Sequence, residues 1–233
     1  ETNKKFNVGL DLAFWNERVN FSLDAYRNKT ENMLVYENIA AQTGFTNVLT
    51  NGGSMLNTGI EAGININVVN KKKLKWDIGA TIASNKNKVL SVPNGSLTTQ
   101  YANASILTQN NSAATLFYGY TAEGVFSSNI EASGAALKMK NPDGTYSAFK
   151  GGDVKFKDIN GDHIIDDKDR TVIGKPTPDF FGSINSKLVF GRFSLTTLFV
   201  FSKGNNIYNY LRYKLESAST LENQLNSVVN RWR

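Results

Sequence analysis

The chain has no cysteine, so neither a disulfide framework nor a thiolate metal site can exist. It has one histidine, His163, and a lone histidine cannot supply a zinc triad. No stretch approaches the ~20 consecutive apolar residues that a membrane helix needs. That excludes a helical span but not a membrane strand, which needs only ~9–11 residues with alternate ones apolar. There is no glycine-rich phosphate loop ahead of a helix, no Ser/His/Asp grouping and no telling pair of carboxylates. The chain is therefore not expected to be an enzyme. The net charge is +6 with pI ≈ 9.3. Its lysines and arginines look scattered rather than striped, and the densest run, Lys71-Lys72-Lys73, sits in a short turn. Nucleic acid is accordingly not an expected partner.

Proline is scarce at 4 residues, against 19 glycines, 11% aromatics and abundant Asn, Ser and Thr. This composition suits strands joined by polar loops. The first fifteen residues alternate strictly. Phe6, Val8, Leu10, Leu12 and Phe14 share one face, and Asn7, Gly9, Asp11 and Ala13 the other. Asn16-Glu17-Arg18 turns the chain, and Val19, Phe21, Leu23 and Ala25 continue the apolar face. After a loop of about thirty residues, long for a compact domain, a second hairpin follows. It sets Ile60, Ala62, Ile64, Ile66 and Val68 beside Leu74, Trp76, Ile78, Ala80 and Ile82, with its turn at Asn70 to Lys73. In the third hairpin Phe180, Ile184, Leu188 and Phe190 lead through Gly191-Arg192 to Phe193, Leu195, Thr197, Phe199 and Phe201.

Alternation alone fits both a soluble β-sandwich and a membrane barrel. Loop asymmetry favours the barrel, since turns within hairpins are short while connections between them run to tens of residues. So do the polar faces, which carry Asp11, Asp24, Glu61, Asp77 and Lys187 as a wet lumen would allow. Phe14, Trp76, Phe190 and Phe193 sit beside the tight turns, where an aromatic girdle belongs. The fold class expected is all-β, an antiparallel six-stranded portion of a transmembrane β-barrel with long extracellular loops. The alternative is a soluble calcium-stabilised β-sandwich that binds carbohydrate.

The connections hold three further signals. Asp158 to Asp169 is a twelve-residue loop with oxygen-bearing side chains at positions 1, 3, 5, 9 and 12. Asp158, Asn160, Asp162, Asp166 and Asp169, with the Ile164 carbonyl at position 7, are the expected ligands of a structural Ca²⁺. His163 stands where such loops usually have Gly, and Ile165 can tie the loop to a neighbour; a metal-free Asx-rich turn is the other reading. Ser219-Thr220-Leu221-Glu222 reads as a capping box, and Leu221, Leu225, Val228 and Trp232 predict a short amphipathic helix ending near Trp232. Loop aromatics such as Tyr118, Tyr120, Tyr208, Tyr210 and Tyr213 either pin loops together or stack on sugar rings.

Gly151-Gly152-Asp153-Val154-Lys155-Phe156-Lys157-Asp158-Ile159-Asn160-Gly161-Asp162, continuing through Asp169-Arg170-Thr171-Val172-Ile173-Gly174 to Pro178-Asp179-Phe180, resembles the SusC/RagA group of TonB-dependent outer-membrane transporters. Asn57-Thr58-Gly59-Ile60-Glu61, Gly119-Tyr120 to Phe126, Gly204 to Asn209 and Asn230-Arg231-Trp232 resemble that group as well, although Arg233 departs from its pattern. The resemblance implies that residues 1–233 are part of one 22-stranded barrel domain, the size class of plugged transporters. It also implies a signal peptide, a TonB-contacting segment and a plug before Glu1, and the last strands after Arg233. Import of an oligosaccharide or peptide across a Gram-negative outer membrane would follow. TonB, a SusD-like surface lipoprotein and outer-membrane lipid would be the partners.

Overall fold

The computed structural model describes residues 1–219 and 221–232. Six long strands form one antiparallel sheet in sequence order: β1 (Thr2–Phe14), β2 (Val19–Asn38), β3 (Asn47–Lys71), β4 (Leu74–Ser91), β5 (Phe180–Phe190) and β6 (Phe193–Lys203). Alternation forms the strands, and the turns set their register. β1 turns into β2 through Trp15, Asn16 and Glu17, all at positive φ, with Arg18 N–H donating to the Trp15 carbonyl at 3.3 Å. β5 turns into β6 through Gly191, whose φ of 61° is open to glycine at no steric cost.

The pairings carry one set of apolar residues across all six strands. Leu12 faces Phe21, Phe21 faces Ile64, Ile64 faces Ala80, Ala80 faces Ile184 and Ile184 faces Phe199. The expected faces hold, with one local correction. A bulge between Asn67 and Val69 makes Val69, rather than Val68, the partner of Trp76.

The loop of about thirty residues expected after the first hairpin is mostly strand. β2 and β3 run 20 and 25 residues and stay paired past the apolar faces out to Asn38 opposite Asn47. Mixed polar pairs such as Glu37–Val48 conceal this pairing from a reading based on alternation.

The chain divides into two compact units. The first comprises residues 1–98, 107–115 and 175–206 and contains the six-stranded sheet. The second comprises residues 99–106, 116–174 and 207–233. In it Phe126, Ala132, Leu137 and Ile165 form a buried cluster, flanked by Tyr120, Met139, Phe149 and Phe156. Helix α1 (Asn129–Ala135) supplies Ala132 and is capped by Ser128, whose hydroxyl accepts from Glu131 N–H.

Among the described residues the amphipathic helix expected to end near Trp232 does not form. The α-helix in this region, α2, is Tyr210–Glu216, capped by Asn209, and among the described residues downstream there is a 3₁₀ turn at Asn226–Asn230 and no further helix. Leu225 N–H donates to the Leu215 carbonyl, which folds the segment back on α2. Leu221 and Trp232 remain exposed. Thr220 of the expected capping box lies outside the described residues. An isolated short helix has too few hydrogen bonds to offset its nucleation cost.

Candidate functional site

The first candidate is the sheet itself, as a wall with two unlike faces. On the apolar face Phe6, Val8, Ile60, Ile184, Leu195 and Phe199 are between 47% and 68% exposed. The chain's accessible area is 16434 Å², whereas a compact soluble chain of this mass exposes about 10,400 Å². A β-sandwich would bury this face against a second sheet. Its exposure removes the soluble-module alternative.

The opposite face is polar and closely fitted. Asp11, Ser22, Gly63, Thr81 and Ser183 form one row, and Asn20, Asn65, Gly79 and Asn185 another. Several glycines here lie beneath a neighbouring strand's side chain. The Tyr26 ring covers Gly59, and the Asn65 and Asn185 amides both reach over Gly79. Asp77 stands opposite Lys187. The girdle aromatics sit at the turn end in register: Trp76 opposite Leu188, and Phe190 opposite Phe193. Trp76 Nε1–H donates to Ser186 Oγ at 2.9 Å, which satisfies the indole on an otherwise apolar face. Trp15, 76% exposed beside Phe14, joins this group and went unread because it lies in the turn.

The second candidate is the acidic loop. It leaves the strand Val154–Phe156, which pairs with Ala122–Val125, and returns through Ile164–Ile165, which pairs in parallel with Lys138–Met139. Ile165 is fully buried in the core cluster, so position 8 does tie the loop down. His163 adopts φ 61°, the conformation that usually selects Gly at this position.

Each of the five expected side-chain ligands is engaged by a backbone amide. Asp158 accepts from Gly161 N–H and His163 N–H, both at 2.8 Å. Asn160 Oδ1 accepts from Asp162 N–H, and Asp162 accepts from Ile164 N–H and the Asn160 amide. Asp166 caps the 3₁₀ turn Asp167–Asp169, and Asp169 reciprocates at Asp166 N–H while also accepting from Ile159 N–H at 2.9 Å. Asp169 is fully buried. Burial pushes the Asp158 carboxyl up, but N–H donors from His163 and Gly161 outweigh it and hold the group below its ordinary value.

The donor chemistry fits a hard cation, because a carboxylate oxygen keeps a lone pair after accepting one N–H. The convergence does not: among the described residues no three acid or imidazole groups are grouped to hold a metal. The fit is partial, and the loop as it stands is held by its own amides.

The loop aromatics are mainly structural pins. Tyr120 packs on Phe156 at 5.4 Å, and the Arg170 guanidinium lies 4.6 Å from the centre of the Tyr118 ring. Tyr208 donates its hydroxyl to the Ala102 carbonyl, and Tyr213 accepts from the Asn103 amide. Tyr210 stacks on Tyr213 at 6.2 Å.

A family model described as TonB dependent receptor-like, beta-barrel, matches residues 1–181. TonB-dependent receptor P3 of Formosa agariphila is 30% identical over 100% of this chain and 23% of its own length. TonB-dependent receptor SusC of Bacteroides thetaiotaomicron is 28% identical over 91% of this chain and 20% of its own. The solved structure of the RagAB peptide transporter superposes with a TM-score of 0.73 at 19% identity, over 99% of this chain and 24% of that one, a likeness of fold. The chain thus spans less than a quarter of the length of each. The match takes in the first four strands of the alternating antiparallel sheet and most of the chain, and the conclusion is direct: the chain belongs to the TonB dependent receptor-like β-barrel family.

Proposed function

We propose that these residues are part of the wall and outer mouth of one barrel domain in an outer-membrane importer of the SusC/RagA kind. The observation that carries this reading is the apolar face continuous over six strands, backed by a polar face that suits a wet lumen. Lipid is the solvent that makes such a face stable, and closure by further strands would satisfy the two open edges of the sheet. The cargo is an oligosaccharide or a peptide. The working partners are TonB, reached through the protein's N-terminal region, and a SusD-like surface lipoprotein. No catalytic step is assigned to the chain, and the place is the outer membrane of a Gram-negative bacterium.

The test uses the intact parent protein. It should fractionate with outer membranes and need detergent for extraction, and its deletion should abolish uptake of a labelled oligosaccharide or peptide. A parent found in the soluble fraction would overturn the reading.

We further propose that Asp158, Asn160, Asp162, Asp166, Asp169 and the Ile164 carbonyl take a structural Ca²⁺. The oxygen-rich spacing and the positive φ at His163 support this. Because the acids must still converge, affinity in the range of extracellular modules is expected, on the order of 10⁻⁴–10⁻³ M. A calorimetric calcium titration should give saturable heat that Asp158→Ala and Asp162→Ala remove. No heat at millimolar calcium would leave the loop an amide-held acidic turn.

A further inference from the structure

The cations that look scattered in the sequence gather once the strands are set in register. From Phe14 to Phe6 the apolar face of β1 covers eight residue steps, about 26 Å along the strand. Tilted by about 35–45° as barrel strands are, that spans about 20 Å of the apolar band of about 25 Å. At its far end from the tight turns, on the same face, the side chains change character abruptly. Arg27 stands opposite Phe6, and Lys4 opposite Lys29. Through Thr58 and Leu56 on β3 the same two rows reach Lys86 and Lys88 on β4. Lys203 on β6, opposite Phe180, lies one row nearer the tight turns than Arg27 and Lys86, its ammonium 5.8 Å from the ring centre.

Two acids answer these six cations nearby. Glu31 pairs with Lys4 and Lys29. Asp179 is hydrogen-bonded to Lys175, and Lys86 and Lys203 act on it only through space. Among the described residues Arg27, Lys86 and Lys88 have no ion-pair partner, and all three are exposed.

Resting on the membrane-wall reading above, we propose that Lys4, Arg27, Lys29, Lys86, Lys88 and Lys203 form a docking belt for anionic, phosphate-bearing lipid head groups. The leaflet is the one nearest the long connections. Charge complementarity and position select this occupant. A cation on the lipid-facing side at the rim of the apolar band, as Arg27 and Lys86 are in the Phe6 row and Lys4, Lys29 and Lys88 in the next row out, meets head-group phosphates before it meets protein or bulk water. Long Lys and Arg stems also lie along apolar surface while their charged ends reach outward.

The experiment compares the full-length parent with a triple variant carrying Arg27→Gln, Lys86→Gln and Lys88→Gln. A second variant, Lys138→Gln, Lys150→Gln and Lys157→Gln, loses the same charge away from the belt. Each is reconstituted into vesicles of phosphatidylcholine containing phosphatidylglycerol, then extracted, and the retained phosphatidylglycerol is counted by mass spectrometry. Wild type and the second variant should retain it at least about fivefold over the bulk ratio, the factor expected for one cation at an anionic surface. The triple variant should fall toward the bulk ratio. Equal retention by all three inserted proteins would overturn the belt and leave the wall reading intact. Loss of retention on adding millimolar inorganic phosphate would point to a free-anion site and also overturn it. Failure of the wild type to enter vesicles would overturn both.

Discussion

The two units solve the burial problem in opposite ways. The sheet unit keeps its large apolar side chains in regular rows and leaves them exposed, so its stability depends on a solvent that is not water. The loop unit collects Phe126, Ala132, Leu137 and Ile165 into a conventional packed cluster and surrounds it with Asx turns, a capped helix and short strands. A long connection of a membrane protein is therefore not always a tether. Residues 116–174 carry their own hydrophobic centre, so the acidic loop is anchored through Ile165 with or without a cation.

The comparison breaks most sharply at Phe126. This ring is fully buried and lies 5.8 Å from Phe149. Phe126→Ala in the parent should cost the loop unit about 3–5 kcal/mol. Hydrogen exchange across residues 116–174 would then rise, while the amides of β1 to β6 keep their protection. Equal deprotection of both would mean that the units do not fold on separate terms.

The converse change is Ile64→Arg, one row from the middle of the apolar face. An Arg near the bilayer midplane costs about 2–4 kcal/mol, and little on the lumen side. Asn65→Arg serves as the matched control on the opposite face. The first should depress the amount of assembled parent in outer membranes far more than the second, and neither should alter loop-unit exchange. Similar losses from both would show that the faces have been assigned the wrong way round.

How much of this was legible in the sequence follows from the same physics. Period-two alternation with one polar face writes the sheet almost residue by residue, and the six strands and their tight turns were read directly. Alternation fades where both faces meet water, so the extension of β2 and β3 to Asn38 and Asn47 reads as loop. The core of the loop unit was hidden for a different reason. Phe126 and Leu137 lie in connections outside any helix or strand, and Ile165 in a strand of two residues, so none of them shows a period. Spacing did find the acidic loop and the tie at Ile165. It could not show that amides would occupy the acids, because those donors belong to the backbone. The basic belt escaped because its members are neighbours only across strands.

A smaller effect tests how closely the lumen face is fitted. A methyl group on Gly59 would meet the Tyr26 ring, so Gly59→Ala should cost about 1–3 kcal/mol by overpacking. Removing the ring should relieve that cost, making Gly59→Ala nearly neutral in a Tyr26→Ala background. A double-mutant cycle on assembled protein measures the coupling, and strict additivity would show that the ring does not depend on the glycine.

The smallest effect expected is the response of the acidic loop to pH. Asp158 is held below its ordinary value of 3.8 in the folded loop, because the charged form accepts from His163 and Gly161 N–H while burial opposes it. Its stabilising contribution is therefore complete above that value and is lost as pH falls through the lower, folded one. Exchange of the Gly161 and His163 amides, corrected for the intrinsic acid dependence of exchange, should be level from neutral pH down to about 5. Protection should then weaken steadily toward pH 3 and below. Asp158→Asn keeps an acceptor but cannot titrate, so it should lower protection at neutral pH and flatten the acid dependence. An unchanged acid profile in that variant would assign the transition to another group of the loop.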